Sequence, residues 1–542
     1  MRVGIAVTWL CATALAACGG GKTQMSSSSP PPGGGTPTPT QHTDVATYKN
    51  DLARTGQNLT ESVLTPSDVN PSRFGLLRIL AADGNVDATP LYLSGLNVRG
   101  AAHNVVFVAT EKDSVYAYDS DNGALLWHVS LLGAGETVND LPSYGCQQVT
   151  PTIGITSTPV IDRGTGVIYL VAMSLSSASN TYHQRLHALD VTTGAELLGG
   201  PAEIAASYPT LGGTTSFDPA QYVERAALLL LNGTLYTSWT SHCDMPPYSG
   251  WIIAYGAGTL APVAVFNAAP NGGGVGPAIW MSGGGPAADA AGNVYVLTAN
   301  GAFETTLDAS GFPNQGDYGN SFLRLSLAGN TLTVSDYFTM YNEVEESGGD
   351  QDLGSGGIML LPDLTDGGGV VRHLAVGAGK DGNLYVVDRD AMGRFNSNGN
   401  QIWQELPGAL GGGIWSTPAY FNGAVYYGPS GATLRAFSLK AAQLVSTPAS
   451  SSAVSFAYPG ASPAISANGT SNGIVWAHEN TTPAVLHAYD AGNLAHELYN
   501  SSQAANGRDQ FGGGNKFITP VIADGKVFVG TQNGVAVFGL LN

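Results

Sequence analysis

From about residue 85 onward, apolar residues alternate with polar ones in short runs rather than recurring every three or four positions, a period that predicts strands. One unit repeats along the chain. A short strand opened by Thr-Pro or Ser-Pro leads into a strand of type Gly-x-Val-Tyr, then a third ending in an apolar residue and Asp, then a turn. Second strands are predicted at 104–109, 166–172, 233–238, 292–297, 373–377, 423–428, 473–478 and 525–530. Third strands are predicted at 114–119, 185–190, 251–256, 321–326, 383–388, 433–438, 485–490 and 534–539. Openings stand at Thr89-Pro90, Thr158-Pro159, Gly285-Pro286, Thr417-Pro418, Ser462-Pro463 and Thr519-Pro520, with degenerate ones near Leu228 and Ser355. Neighbouring openings lie 45 to 69 residues apart, more than a minimal four-stranded blade needs, so several loops carry insertions, and function is expected there.

Only Leu540, Leu541 and Asn542 follow the last third strand, too few for a fourth. The apolar segment Phe74 to Ala81 precedes the first unit, and placing it as the missing strand closes a ring and covers both sheet edges. The pattern therefore predicts an all-β fold, an eight-bladed β-propeller over 44–542 with its last blade shared between the two ends.

The first residues follow another pattern. Arg2 precedes an apolar run from Val3 to Ala17 that ends in Leu15-Ala16-Ala17-Cys18, and this resembles a bacterial lipoprotein signal over 1–17. The resemblance implies lipidation of Cys18 and, with Gly19 following, anchoring to the outer membrane, so that the membrane is met only through the lipid. Residues 18–43, rich in Gly, Ser and Pro with almost nothing apolar, read as a disordered tether. Cys146 and Cys243 are the cysteines left for the globular part, and in an oxidising compartment they are expected to form a disulfide, with two separate buried thiols as the alternative.

Composition narrows the function. The chain carries 21 Lys and Arg against 40 Asp and Glu, a formal charge of −19, which argues against nucleic acid as a partner. Charged residues are only 11% of the chain and Gly accounts for 73 positions, so long surface helices and coiled coils are excluded.

The repeats at Ser114 to Trp127 and Arg185 to Gly194 resemble the pyrroloquinoline-quinone (PQQ) repeat of quinoprotein alcohol dehydrogenases, a likeness running from about Tyr48 to the C-terminus. In that family PQQ lies flat on a tryptophan in the central channel, with Ca²⁺ held by carboxylate and amide oxygens and an aspartate as base. The resemblance implies PQQ and calcium as cofactors, and an alcohol or sugar as substrate with a separate electron acceptor. It assigns Trp280 as the ring platform, Lys380 as the cation near the quinone oxygens and Asp87 as a further cofactor contact. It also assigns Asn300, Asp352 and Asp244 as metal ligands and Asp352, 28 residues ahead of Lys380, as the catalytic base.

The chain departs from the family in three ways. The adjacent cysteine pair over PQQ is missing, Ile153 to Pro159 offers no arginine, and Asp244 is only the nearest acid for the glutamate of the metal site. Bland readings stand beside each assignment: Trp280 as blade packing, Asn300-Gly301 and Lys380-Asp381-Gly382 as turns, Asp352 as loop solvation. Asp119, Asp190, Asp388 and Asp490 are expected to bond turns. The glycine pattern at 377–382 lies between strands and opens no helix, so it is not a dinucleotide site, and no Cys-x-x-Cys-His is present for a covalent haem. Non-catalytic propellers use the same repeat, so the alternative is a scaffold binding a partner protein or a polysaccharide at the outer membrane.

Overall fold

The computed structural model describes residues 44–140 and 148–541, within one compact unit spanning His42–Asn542. Signal, tether, Cys18 and Cys146 lie outside the described residues. The fold is an eight-bladed β-propeller. Its first blade is the meander Leu91–Val98, Ala101–Ala109, Ser114–Asp119 and Leu125–Ser130, each strand antiparallel to the next. The middle strands of the remaining blades are Val167–Ser176 and Thr181–Asp190, Thr234–Ser241 and Trp251–Gly256, Val294–Leu297 and Ser321–Ala328, Leu374–Ala378 and Leu384–Asp388, Ala424–Tyr427 and Ala432–Lys440, Ser471–Glu479 and Val485–Asp490, and Lys526–Thr531 and Gly534–Leu540. The two degenerate openings lead into Leu229–Leu231 and Met359–Leu360.

The fourth strand of the last blade is Phe74–Ala81, antiparallel to Gly534–Leu540 with Phe74 opposite Leu540 and Ala81 opposite Gly534. Phe74 is fully buried against Trp476, Tyr499 and Phe538, with ring centroids 5.4, 5.0 and 6.2 Å away. This seam is therefore packed as a core and not only hydrogen-bonded.

The repeat motif follows from how blades are stitched. Tyr169, in a second strand, donates its hydroxyl to Ala257 O of the next blade at 2.9 Å, and Tyr426 does the same to Ala491 O at 2.8 Å. Trp127, on an outer strand, and Trp403, directly ahead of one, donate their indole N–H to Val191 O (3.0 Å) and Ala442 O (2.6 Å) of the following blade. Each is an amphipathic ring that buries its body between sheets and satisfies its polar tip there. The aspartates ending third strands bond turns: Asp119 accepts from Asp121 N, Asp190 from Thr192 N, Asp388 from Asp390 N and Asp490 from Gly492 N at 2.8 to 3.1 Å.

The segment from Val45 to Asn58 runs along the inner edges of the first strands and meets all eight blades. Val45 bridges Tyr92 in the first blade, and Ala46 O accepts from Ile161 N in the second. Arg54 reaches Leu228 O ahead of the third, while Leu52 O, Ala53 O and Thr55 O accept from Ala288 N, Leu360 N and Tyr420 N of the fourth to sixth. Gln57–Asn58 pairs parallel with Ile465 and Ser466 in the seventh, and Asn58 Nδ2 donates to Ile522 O of the eighth at 3.0 Å. Two cations fill the axis there. Lys49 Nζ donates to Thr417 O (3.0 Å), Pro418 O (3.1 Å) and Pro463 O, and Arg54 Nε to Pro286 O (2.9 Å), so carbonyls of the proline-bearing openings form a polar collar around them. Burial in that collar lowers the Lys49 ammonium to about 7.

Candidate active site

A cavity of about 220 Å³ lies at the end of the axis beyond this plug. Its lining comes from the connections entering seven blades, among them Ile153, Arg225, Trp280, Asp352, Trp415, Tyr458 and Phe517, and only the axis of a ring is within reach of so many at once. Turns after the second strands of the third, fourth and fifth blades add Asp244, Asn300 and Lys380. Five residues assigned in the sequence thus converge: Trp280, Asn300, Asp352, Lys380 and Asp244 share one wall system.

Close backbone approach makes this possible. A Cβ on Gly379 would lie 2.2 Å from Asp352 O, and one on Gly354 would lie 2.5 Å from Ala299 N, so glycine alone lets the Lys380, Asp352 and Asn300 segments meet. Trp280 leads into the turn Met281–Gly283, whose three residues all have positive φ, and Ser282 Oγ fixes that turn by donating to Ser355 O at 2.6 Å.

Asp352, 5% exposed, is the centre of the polar wall. Its Oδ1 accepts from Asn300 N at 2.7 Å and its Oδ2 lies 2.7 Å from Lys380 Nζ. Burial raises its carboxyl above the ordinary range, with Lys380 acting against that rise. Burial opposes the charge of Lys380, yet Asp352 and Asp350, the latter 2.7 Å away, more than offset it and raise the ammonium. Asn300 Nδ2 donates to Asp350 Oδ1 at 3.0 Å. Asp244 is bonded by Ser241, and burial followed by the Asp244 and Asp352 charges raises the Tyr248 phenol. Burial also lowers His242 to about 4, so its imidazole is neutral at pH 7.

Asp87 does not line the cavity. Its carboxylate stands one layer back, 3.4 Å from Arg225 NH1 and bonded by Asn515 Nδ2. Behind it Glu111 is fully buried and accepts from Gly154 N (2.7 Å) and Thr156 Oγ1 (3.0 Å); burial and then Asp87 raise its carboxyl well above the ordinary range, with those two hydrogen bonds acting against the rise. Arg225 lies over the Phe517 ring, 4.7 Å from its centroid, and with Lys516 makes a cationic side to the cavity that the sequence reading missed.

An arc of rings completes the wall. Trp280 meets Phe517 edge-on at 6.4 Å, Phe517 meets Tyr458 at 6.4 Å, and Tyr458 meets Trp415 at 5.4 Å. Trp415, Tyr458 and Phe517 also went unassigned in the sequence, although a signal was present: each, like Trp280, stands three to six residues ahead of an opening proline. Cys243 lines the cavity and is disulfide-bonded; Cys146, its expected partner, lies outside the described residues.

The cavity lining includes hard oxygen donors of the kind that a calcium ion takes. Among the described residues no group of three or more His, Cys, Asp and Glu side chains is placed to hold a metal. Asp244, Asn300 and Asp352 offer two carboxylates and an amide, hard oxygen donors that leave part of a calcium shell to a ligand.

Residues 51–197 match the family model described as "Outer membrane protein assembly factor BamB". None of the curated proteins matches the chain. Among solved structures, quinohemoprotein alcohol dehydrogenase from Comamonas testosteroni is 15% identical with a TM-score of 0.59, covering 92% of this chain and 80% of its own. A europium-containing methanol dehydrogenase is 14% identical with a TM-score of 0.57, covering 92% and 98%. BamB from Moraxella catarrhalis is 14% identical with a TM-score of 0.44, covering 84% and 97%. The fold is an eight-bladed β-propeller, and residues 51–197 of it are similar to the PQQ-type repeat of that family model. The chain resembles these alcohol and methanol dehydrogenases in fold.

Proposed function

We propose that the protein is a PQQ-dependent dehydrogenase, exported and lipid-anchored through Cys18 at the outer membrane, that oxidises an alcohol or sugar and passes the electrons to a separate acceptor. The observation that carries this reading is the convergence of Trp280, Asn300, Asp352, Lys380 and Asp244 on one axial cavity. Trp280 offers the π-face for a flat tricyclic ring, while Asp244, Asn300 and Asp352 offer oxygens to a calcium ion. Arg225 and Lys516 supply the positive charge that a polycarboxylate ligand needs, in place of the arginine missing from 153–159. PQQ, when bound, supplies an ortho-quinone able to accept the two electrons of alcohol oxidation. Asp352 accepts the substrate hydroxyl proton, a role that its raised carboxyl favours, and Lys380 keeps that carboxyl oriented. The aromatic arc from Trp415 to Phe517 excludes water from the same space.

A titration of the apo-protein with PQQ and Ca²⁺ tests this reading. Bound-cofactor absorbance and dye-linked alcohol oxidation should appear together, and Trp280→Ala and Asp352→Asn should abolish turnover. Variants indistinguishable from wild type would sink it. A second reading, a non-catalytic scaffold for a partner protein or polysaccharide, is supported by the match of residues 51–197 to an assembly-factor family, and it expects no cofactor binding in that titration.

A further inference from the structure

The insertion between the fourth and fifth blades contains the short helix Glu343–Gly348, which does not line the cavity. It sits behind the two segments that bear Asn300 and Asp352, and one serine on it is bonded on every side. Ser347 Oγ donates to Glu343 Oε1 at 2.6 Å and accepts from Gly301 N at 3.1 Å and from Asn320 Nδ2 at 3.1 Å. One proton and two lone pairs are thereby used in full. Asn320 continues the link: its Oδ1 accepts from Leu353 N at 2.9 Å and its own N–H donates to Ala299 O at 2.8 Å. Asn320 is fully buried with φ of 43°, a left-handed conformation that asparagine tolerates better than most residues. The chain of bonds runs from Gly301 through Ser347 and Asn320 to Leu353, so it joins the residue after Asn300 to the residue after Asp352. The cavity side has one matching tie, Asn300 N to Asp352 Oδ1 at 2.7 Å.

We infer that Ser347 and Asn320 are positioning residues that fix the spacing between the Asn300 amide and the Asp352 carboxylate, and thereby set the affinity of the cavity for a hard, oxygen-seeking cation. The inference rests on the reading of Asn300, Asp352 and Asp244 as cation ligands. Neither residue reaches the cavity, so each acts through the two segments it ties together. Outer bonding partners of metal ligands commonly govern affinity by about 10- to 100-fold when removed, because the ligands then lose their fixed mutual geometry.

Terbium(III), a hard cation whose luminescence is sensitised by nearby tryptophan, reports on the site without any turnover, and Trp280 and Trp415 line the cavity. The full-length protein and its Ser347→Ala, Ser347→Thr, Asn320→Gly and Asp352→Asn variants are titrated, with circular dichroism checking each fold. Asn320→Gly deletes the side chain yet keeps the left-handed backbone accessible. Ser347→Ala and Asn320→Gly are expected to weaken terbium binding by about tenfold or more. Ser347→Thr, which keeps the hydroxyl, should stay near wild type. If wild type and Asp352→Asn bind alike, or neither binds, the cation reading itself fails and takes this inference with it. If Asp352→Asn loses binding while Ser347→Ala, folded, matches wild type, the positioning role alone is wrong.

Discussion

Glu343 shows what burial does to one carboxyl near the site. It is 2% exposed, and burial lifts it from about 4.5 to about 7. A carboxyl raised in the folded state binds its proton more tightly there than when unfolded, so its contribution to stability is whole below pH 4.5 and falls as pH rises towards 7. The expected loss is of the order of 3 kcal/mol, from 1.36 kcal/mol per pKa unit. Glu343→Gln should therefore unfold like wild type at pH 4 and be measurably more stable at pH 8, as read from urea midpoints; equal midpoints at pH 8 would contradict the assignment. Residues of this kind were hard to read in the sequence. Trp280, Asn300, Asp352 and Lys380 stand in local motifs at family spacing, whereas Glu343, Ser347 and Asn320 act through tertiary contacts that no short motif encodes. Arg225 was hidden for a related reason: it lies at the degenerate third opening, where the repeat offers no frame against which to notice it. Asp87 was assigned as a cofactor contact on the family resemblance alone, and it pairs with Arg225, which lines the cavity where Asp87 does not.

At the scale of elements, the recurring Gly-x-Val-Tyr and apolar-Asp motifs marked the middle strands as short apolar runs, because each lies between two others and buries both of its faces against neighbouring sheets. The short first strands were harder to delimit; Leu229–Leu231 and Met359–Leu360 lack the usual proline signal, and length alone cannot distinguish such runs from loop. Phe74–Ala81 carries a testable load. Phe74 is the aromatic centre of the seam between the two ends of the chain, so Phe74→Ala should cost about 3 to 5 kcal/mol, the range for truncating a fully buried aromatic. Denaturant unfolding followed by tryptophan fluorescence checks this through Trp476, 5.4 Å from the Phe74 ring. A loss below about 1 kcal/mol would mean the seam is not packed as described.

At the scale of the whole molecule, the ring is held from inside as well as around its rim. Residues 45–58 touch every blade, and Arg54 alone bonds Pro286 O, Thr47 Oγ1, Tyr48 O and Leu228 O. Arg54→Ala leaves several buried acceptors unpaired, each costing about 1 to 3 kcal/mol, and is expected to lower unfolding free energy by at least ~3 kcal/mol. A change within ~0.5 kcal/mol would show that the plug is incidental, since that is the scatter of ordinary surface substitutions. This role was not legible beforehand: 45–58 has no strand alternation, and its bonds go to first strands spread over the entire chain.

The central claim is that the space above this plug is a joint site for a quinone cofactor and a hard cation. Anomalous diffraction from crystals grown with PQQ and a lanthanide tests it most directly. The account predicts a single strong peak bounded by Asp244, Asn300 and Asp352, with planar density lying on Trp280. A peak elsewhere, or a cavity without ordered cation and cofactor at saturating concentrations of both, would contradict it.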